Sequence, residues 1–249
     1  MKRAIEIRKN LAVAYRILAR MGMDNLTYTH LSARVPGQDS FYIYPFGYLY
    51  SEVTPASLLH VTFEGDVLEG SQEHYNPTGY ALHSAIYRAR PELNAIFHLH
   101  TTAGVAVSTM KSGLLPISQF ALHFYNRISY HDYDCLALDT HKAEEAMKKI
   151  IGDNKTIILR NHGTITCGTT IPEAFFYTHH LEEACKVQCL AMACRNELII
   201  PDEAVCEAAC QELLSFEKEL GERDWQAVLR QFKIEESFAN LDVSLKTTF

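Results

Sequence analysis

Two histidines one residue apart, His98 and His100, close the apolar run Asn94-Ala95-Ile96-Phe97, and a third, His162, stands in Arg160-Asn161-His162-Gly163 at the end of a second apolar run. Side chains at i and i+2 of a β-strand point to one face, roughly 6 to 7 Å apart, so the first two imidazoles can converge on one cation. A third imidazole from a separate strand completes a facial set. Such a set requires a fold that brings the two apolar runs together. Three protein ligands leave a coordination position for water or substrate, the arrangement of a catalytic rather than a structural zinc site.

The 249-residue length suits one α/β unit over residues 1–249, with 196–249 as a C-terminal helical extension. No segment is apolar for long enough to cross a membrane. The start, Met1-Lys2-Arg3-Ala4-Ile5-Glu6, mixes acid and base and lacks the apolar core of a signal peptide, which predicts a cytoplasmic protein. A net charge of −7 opposes attraction to nucleic acid or to an anionic membrane surface. Seven cysteines, an odd number, lie mostly in apolar contexts that include the helical pairs Cys185/Cys189 and Cys206/Cys210, with no CxxC pair. They read as reduced, buried thiols.

Ile7, Leu11, Ala14, Ile17 and Leu18 recur at helical spacing between Arg3 and Met21, and Gly22 ends that helix. The stretches 31–35, 40–44 and 59–63 alternate and are separated by turn residues, so they read as antiparallel strands. Residues 78–88 carry helical spacing, 94–100 a strand, 101–110 a helix, and 113–134 a mixed segment. A helix over 141–151 precedes strands at 155–159 and 164–167, with Asn161-His162-Gly163 as the turn between them. Pro172 opens a long helix to Arg195, and two further helices finish the chain. The sum is a mixed α/β sandwich, a largely antiparallel sheet covered by helices.

Several segments, in this order, resemble the class II aldolase/adducin family: Tyr28-Thr29-His30-Leu31-Ser32-Ala33-Arg34, Pro45-Phe46-Gly47, Leu82-His83-Ser84-Ala85-Ile86-Tyr87, His98-Leu99-His100 and Arg160-Asn161-His162-Gly163. The match covers roughly residues 5 to 195. Gly113-Leu114-Leu115-Pro116-Ile117-Ser118 and Tyr130-His131-Asp132-Tyr133 look more like the adducin branch than the sugar-phosphate aldolases. The resemblance implies a three-layer α/β/α sandwich with a mainly antiparallel central sheet, a homotetramer with active sites at subunit interfaces, and zinc or another divalent ion such as manganese or iron on His98, His100 and His162. It also implies a small-molecule substrate and a catalytic tyrosine near Tyr133, a role His131 could share or leave for capping the turn.

Two features depart from the family's enzymes. Their acid/base glutamate, four residues before the histidine matching His83, falls here on Gly79; Glu73 or His74 upstream could substitute only by folding back, or a neighbouring subunit could supply the group. The family's small polar phosphate-binding residues appear as His30, Phe46 and Pro77-Thr78, so a sugar phosphate is disfavoured. His83 reads as a helix-to-sheet contact, one of His179 and His180 as approaching the metal layer, and Arg160 and Asn161 as partners or turn formers around the third ligand. The reading favoured is a metal-dependent carbon-carbon lyase, retro-aldol or decarboxylating, on an unphosphorylated hydroxy-carbonyl compound. A binding or scaffold domain without turnover is the second.

Overall fold

The first helix, α1 (Lys2–Arg20), buries the stripe from Leu11 to Leu18 and stops where Gly22 takes a left-handed φ of +66°. The computed structural model describes residues 2–70, 74–133 and 140–233, with the side chains of 140–144 not included. Strands β1 (His30–Ala33), β2 (Ser40–Ile43), β3 (Leu59–Thr62) and β4 (Val67–Glu69) follow as an antiparallel meander. Then come α2 (Pro77–Ala89), β5 (Ala95–Leu99), α3 (Thr102–Ser108), α4 (Gln119–Leu122), β6 (Ile128–His131) and α5 (Thr140–Ile151). Strands β7 (Thr156–Leu159) and β8 (Gly163–Gly168) lead to α6 (Ile171–Ala193), α7 (Glu203–Ser215) and α8 (Glu222–Phe232).

The eight strands form one sheet in the order β4-β3-β2-β1-β5-β8-β7-β6, antiparallel throughout except for β6 against β7. Its layering follows from strand alternation. Ser32, Ile96 and Cys167 lie opposite one another across β1, β5 and β8, and Ser32 Oγ meets His83 and Tyr87 of α2. The neighbouring Thr166 therefore faces the other way, where its hydroxyl meets Thr178 at 2.5 Å and the Ala174 carbonyl of α6. Helices α2 and α5 pack on each other over the first face, and α6 covers the second. This is the expected three-layer sandwich with helices on both sides of a mainly antiparallel sheet.

The mixed segment at 113–134 resolves into α4 and β6, and α5 is the crossover that lets β6 run parallel to β7. Strand β4 returns along β3 after the Glu64-Gly65-Asp66 turn. Helix α6 begins as its sequence directs. Thr170 caps it, Pro172 sits in the first turn, and Glu173 accepts the Thr169 N–H at 2.7 Å while pairing with Lys155 at 2.5 Å. Six cysteines are free thiols, four of them buried, and burial pushes the Cys167 thiol up to about 12. The seventh, Cys135, lies outside the described residues.

Candidate metal centre

Strand β5 ends at Leu99, and β8 pairs beside it so that His98 lies opposite Ile165 and Leu99 opposite Thr164. The β7–β8 turn then carries His162 to the same end of the sheet. One ligand nitrogen from each of His98, His100 and His162 lies within 4.8 Å of the others. Their rings stand 4.7 to 4.9 Å apart, centroid to centroid. The His98 and His100 Nε2 atoms are 2.9 Å apart. Two nitrogens bound to one tetrahedral ion at about 2.0–2.1 Å sit roughly 3.3 Å from each other, so this spacing fits a shared cation. Among the described residues no other group of three such donors comes this close.

The His98 ring is held in one tautomer. Its Nδ1–H donates to the Thr164 carbonyl at 3.0 Å, which leaves the Nε2 lone pair for a ligand. Burial lowers the pKa of all three imidazoles. His98 falls well below its ordinary value through burial and through the neighbouring His30, His100 and His162. His100 falls to about 4 through burial and His162, and His162 falls through burial alone. All three are thus neutral near pH 7, the form that binds a metal ion. A divalent ion fits this donor set by spacing, tautomer and charge.

Gly163 serves the site by closeness rather than by conformational freedom. A Cβ there would run into the Leu99 carbonyl oxygen and come within 2.8 Å of the His100 ring. The left-handed residue of this turn is Asn161, with φ +58°. Arg160 does not orient an imidazole. Its guanidinium bonds the Met110 carbonyl and lies 4.4 Å over the Tyr130 ring, which ties β6 to the loop after α3.

Behind the triad stands a second polar layer that the sequence reading did not assemble. His30 on β1 faces His98 across the sheet, with ring centroids 4.9 Å apart. Its Nδ1 meets His83 Nε2 at 2.9 Å, His83 Nδ1 meets Ser32 Oγ, and Ser32 Oγ meets Tyr87 at 2.9 Å. His83 is thus the helix-to-sheet contact its spacing suggested. Gly79 makes room for this layer, since a Cβ there would lie 2.7 to 2.9 Å from three atoms of the His30 ring. On the other side, Thr101 after His100 donates to the buried Glu182 of α6, whose carboxyl burial pushes upward. Alternation and spacing carried no signal for Glu182, because the contact joins residues 81 positions apart.

Tyr133 is 60% exposed, and its ring stands 6.3 Å from that of His162 of the same chain. His131 ends β6, where its carbonyl accepts the Arg160 N–H at 2.8 Å. Neither His179 nor His180 joins the triad: His179 lies parallel to Phe175, and His180 is 4.0 Å from Phe176. Glu73 is outside the described residues. His74 is exposed, and its carbonyl accepts the Phe46 N–H at 2.7 Å.

The profile of the Class II Aldolase and Adducin N-terminal domain matches residues 9–189. The chain belongs to the class II aldolase and adducin family. It is similar to an aldolase II superfamily protein from Pseudomonas syringae, with a TM-score of 0.87, 37% identity, and coverage of 94% of this chain and 95% of that one. The L-fuculose 1-phosphate aldolase from Glaciozyma antarctica PI12 superposes with a TM-score of 0.80 at 31% identity, over 92% and 90% of the two chains. Alpha-adducin of Rattus norvegicus is 43% identical over 190 residues, which are 75% of this chain and 26% of that protein. Class II aldolases are generally dependent on divalent metals, act on small molecules and are often oligomeric. Among the described residues no helix is long and apolar enough to cross a membrane.

Proposed function

We propose that this class II aldolase family member is a divalent-metal-dependent carbon-carbon lyase acting on a small, unphosphorylated hydroxy-carbonyl compound. The observation that carries the reading is the convergence of three neutral imidazoles within 4.8 Å, with the His98 tautomer held by a backbone carbonyl. His98, His100 and His162 would hold the ion, zinc or another first-row cation. Such an ion polarises substrate oxygens and stabilises the negative charge that bond cleavage develops.

The chain's own groups define the rest of the chemistry. A retro-aldol cleavage needs a base for the hydroxyl proton, and Gly79 supplies none. Decarboxylation needs no such base, because the departing carbon dioxide leaves its bonding electrons behind. Tyr133, beside His162 and open to solvent, is the group proposed to deliver a proton to the product carbon, and His131 is a second candidate. Two observations argue against a phosphorylated substrate. The first-turn amides of α2 at Thr78 and Gly79 already bond Asn76 Oδ1, at 3.0 and 3.4 Å, and the His30 ring stands against Gly79. Phe46, half exposed in its turn, offers no side-chain hydrogen bond. A homotetramer in the cytoplasm, with its sites at subunit interfaces, completes the proposal.

Purified protein should carry one tightly held divalent ion per chain, absent from the His98→Ala/His100→Ala variant; an unchanged metal content would remove the site. A panel of unphosphorylated hydroxy-aldehydes and oxo-acids should show metal-dependent turnover that Tyr133→Phe slows by about a hundredfold. The likeness to alpha-adducin and the absence of a carboxylate at Gly79 favour a second reading, a metal-holding scaffold without turnover. An inert panel with a fully loaded site would select it.

A further inference from the structure

A cavity of about 280 Å³ opens between α4, α6, α7 and the start of α8, and it shares no lining residue with the triad. Phe120, Phe176, Leu213, Phe216 and Leu220 are half of the residues that line it. Two imidazoles, His123 after α4 and His180 on α6, face each other in that apolar setting with ring centroids 4.6 Å apart and ring planes at 56°. The ligand pair His100 and His162 has nearly the same arrangement, 4.7 Å and 54°.

Each of these rings is also held from behind. His123 Nδ1–H donates to the Phe120 carbonyl at 3.2 Å, and His180 Nδ1–H donates to the Phe176 carbonyl at 2.9 Å. Both neutral rings are thereby fixed as the Nδ1–H tautomer, with the Nε2 lone pair left over. A backbone carbonyl on the far nitrogen is the device that orients metal-binding histidines. His123 is only 6% exposed, so its ring cannot satisfy that lone pair by turning out into bulk solvent. The lining guanidinium, Arg223, does not stand unopposed against a cation, because Glu217 pairs with it at 2.9 Å and Asp224 at 3.3 Å.

We propose that His123 and His180 form a second divalent-cation site, a two-imidazole chelate for a first-row transition ion such as zinc or nickel, whose remaining coordination positions open into the cavity. Imidazole suits these ions, and a water needs only about 10–15 Å³ of such space, so the cavity holds the ion with several waters or a small ligand. With two protein ligands against three, this site is the weaker of the two. It stands independently of the lyase reading.

Metal-stripped protein titrated with zinc by calorimetry tests the assignment. The wild-type chain should take up two ions, His180→Gln one, and His98→Ala/His100→Ala one. Side-chain 15N spectra of the wild-type chain should show the His123 and His180 Nε2 resonances moving only after the first equivalent, a readout that needs no variant to fold. Zinc uptake by the wild-type chain, one equivalent or two, that leaves both of those resonances in place overturns the second site. A second ion that persists in His180→Gln also overturns it. Failure of the triad alone would show instead as one ion per wild-type chain that moves those resonances and is unaffected by His98→Ala/His100→Ala.

Discussion

Gly79 and Gly163 show how a missing side chain can shape a site. Replacing Gly79 by alanine should gain about 1 kcal/mol of helix propensity and lose about 1–3 kcal/mol to overpacking. The loss wins because the His30 ring cannot retreat: His83 holds one side of it and His98 lies against the other. Urea denaturation of Gly79→Ala should therefore show a net loss of up to about 2 kcal/mol. A double-mutant cycle with His30→Ala should show the two changes costing less together than their sum. At Gly163 the added methyl meets the Leu99 carbonyl and the His100 ring, so Gly163→Ala should weaken zinc binding by at least about tenfold in a metal titration.

Elements meet at this site through polar contacts that link distant stretches of chain. The α2-to-β1 contact buries His83 and His30, and burial keeps both rings far below their ordinary pKa of 6.5. A histidine whose folded-state pKa is depressed stays neutral while the unfolded chain takes up protons. Its stabilisation is therefore complete above pH 6.5 and is lost as pH falls below that value. Metal-free protein should lose stability steadily between pH 6.5 and 4, with each such ring adding a slope of up to about 1.4 kcal/mol per pH unit. Urea midpoints that stay level across this range would show that the two rings protonate as freely folded as unfolded. The contact of α6 with the start of α3, just past His100, works through Glu182 and Thr101. Glu182→Ala should lower metal affinity by about tenfold, and Glu182→Gln, which keeps an acceptor, by much less.

At the scale of the whole molecule, the three imidazoles come from two separate stretches, so an ion held as proposed would clamp β5 to the β7–β8 turn. An ion present at about 100 times its dissociation constant adds about 2.7 kcal/mol to folding stability. For a chain of this size that corresponds to roughly 5–10 °C, so chelator should lower the thermal midpoint by that amount, and His98→Ala/His100→Ala should abolish the difference. A midpoint indifferent to chelator in the wild-type chain would mean that the clamp does not bear on folding.

Much of this architecture is written in local pattern. Helical spacing located α1, α2 and α6 to within two residues of their ends, and alternation placed β1, β2 and β3. The spacing of His98 and His100 announced two imidazoles on one face, because a strand's period of two is a property of the backbone alone. Short elements were not legible in this way. Strand β4 is three residues long and α4 a single turn, too short for a period to repeat, and β6 finds its parallel place only through the α5 crossover. The second layer was equally hidden. His30 meets His98 because β1 pairs with β5 in one register, and Gly79 and Glu182 acquire their roles only from what packs against them. Strand periodicity depends on neighbours along the chain, whereas register and packing depend on partners tens of residues away, and these settled which side chains surround the three imidazoles.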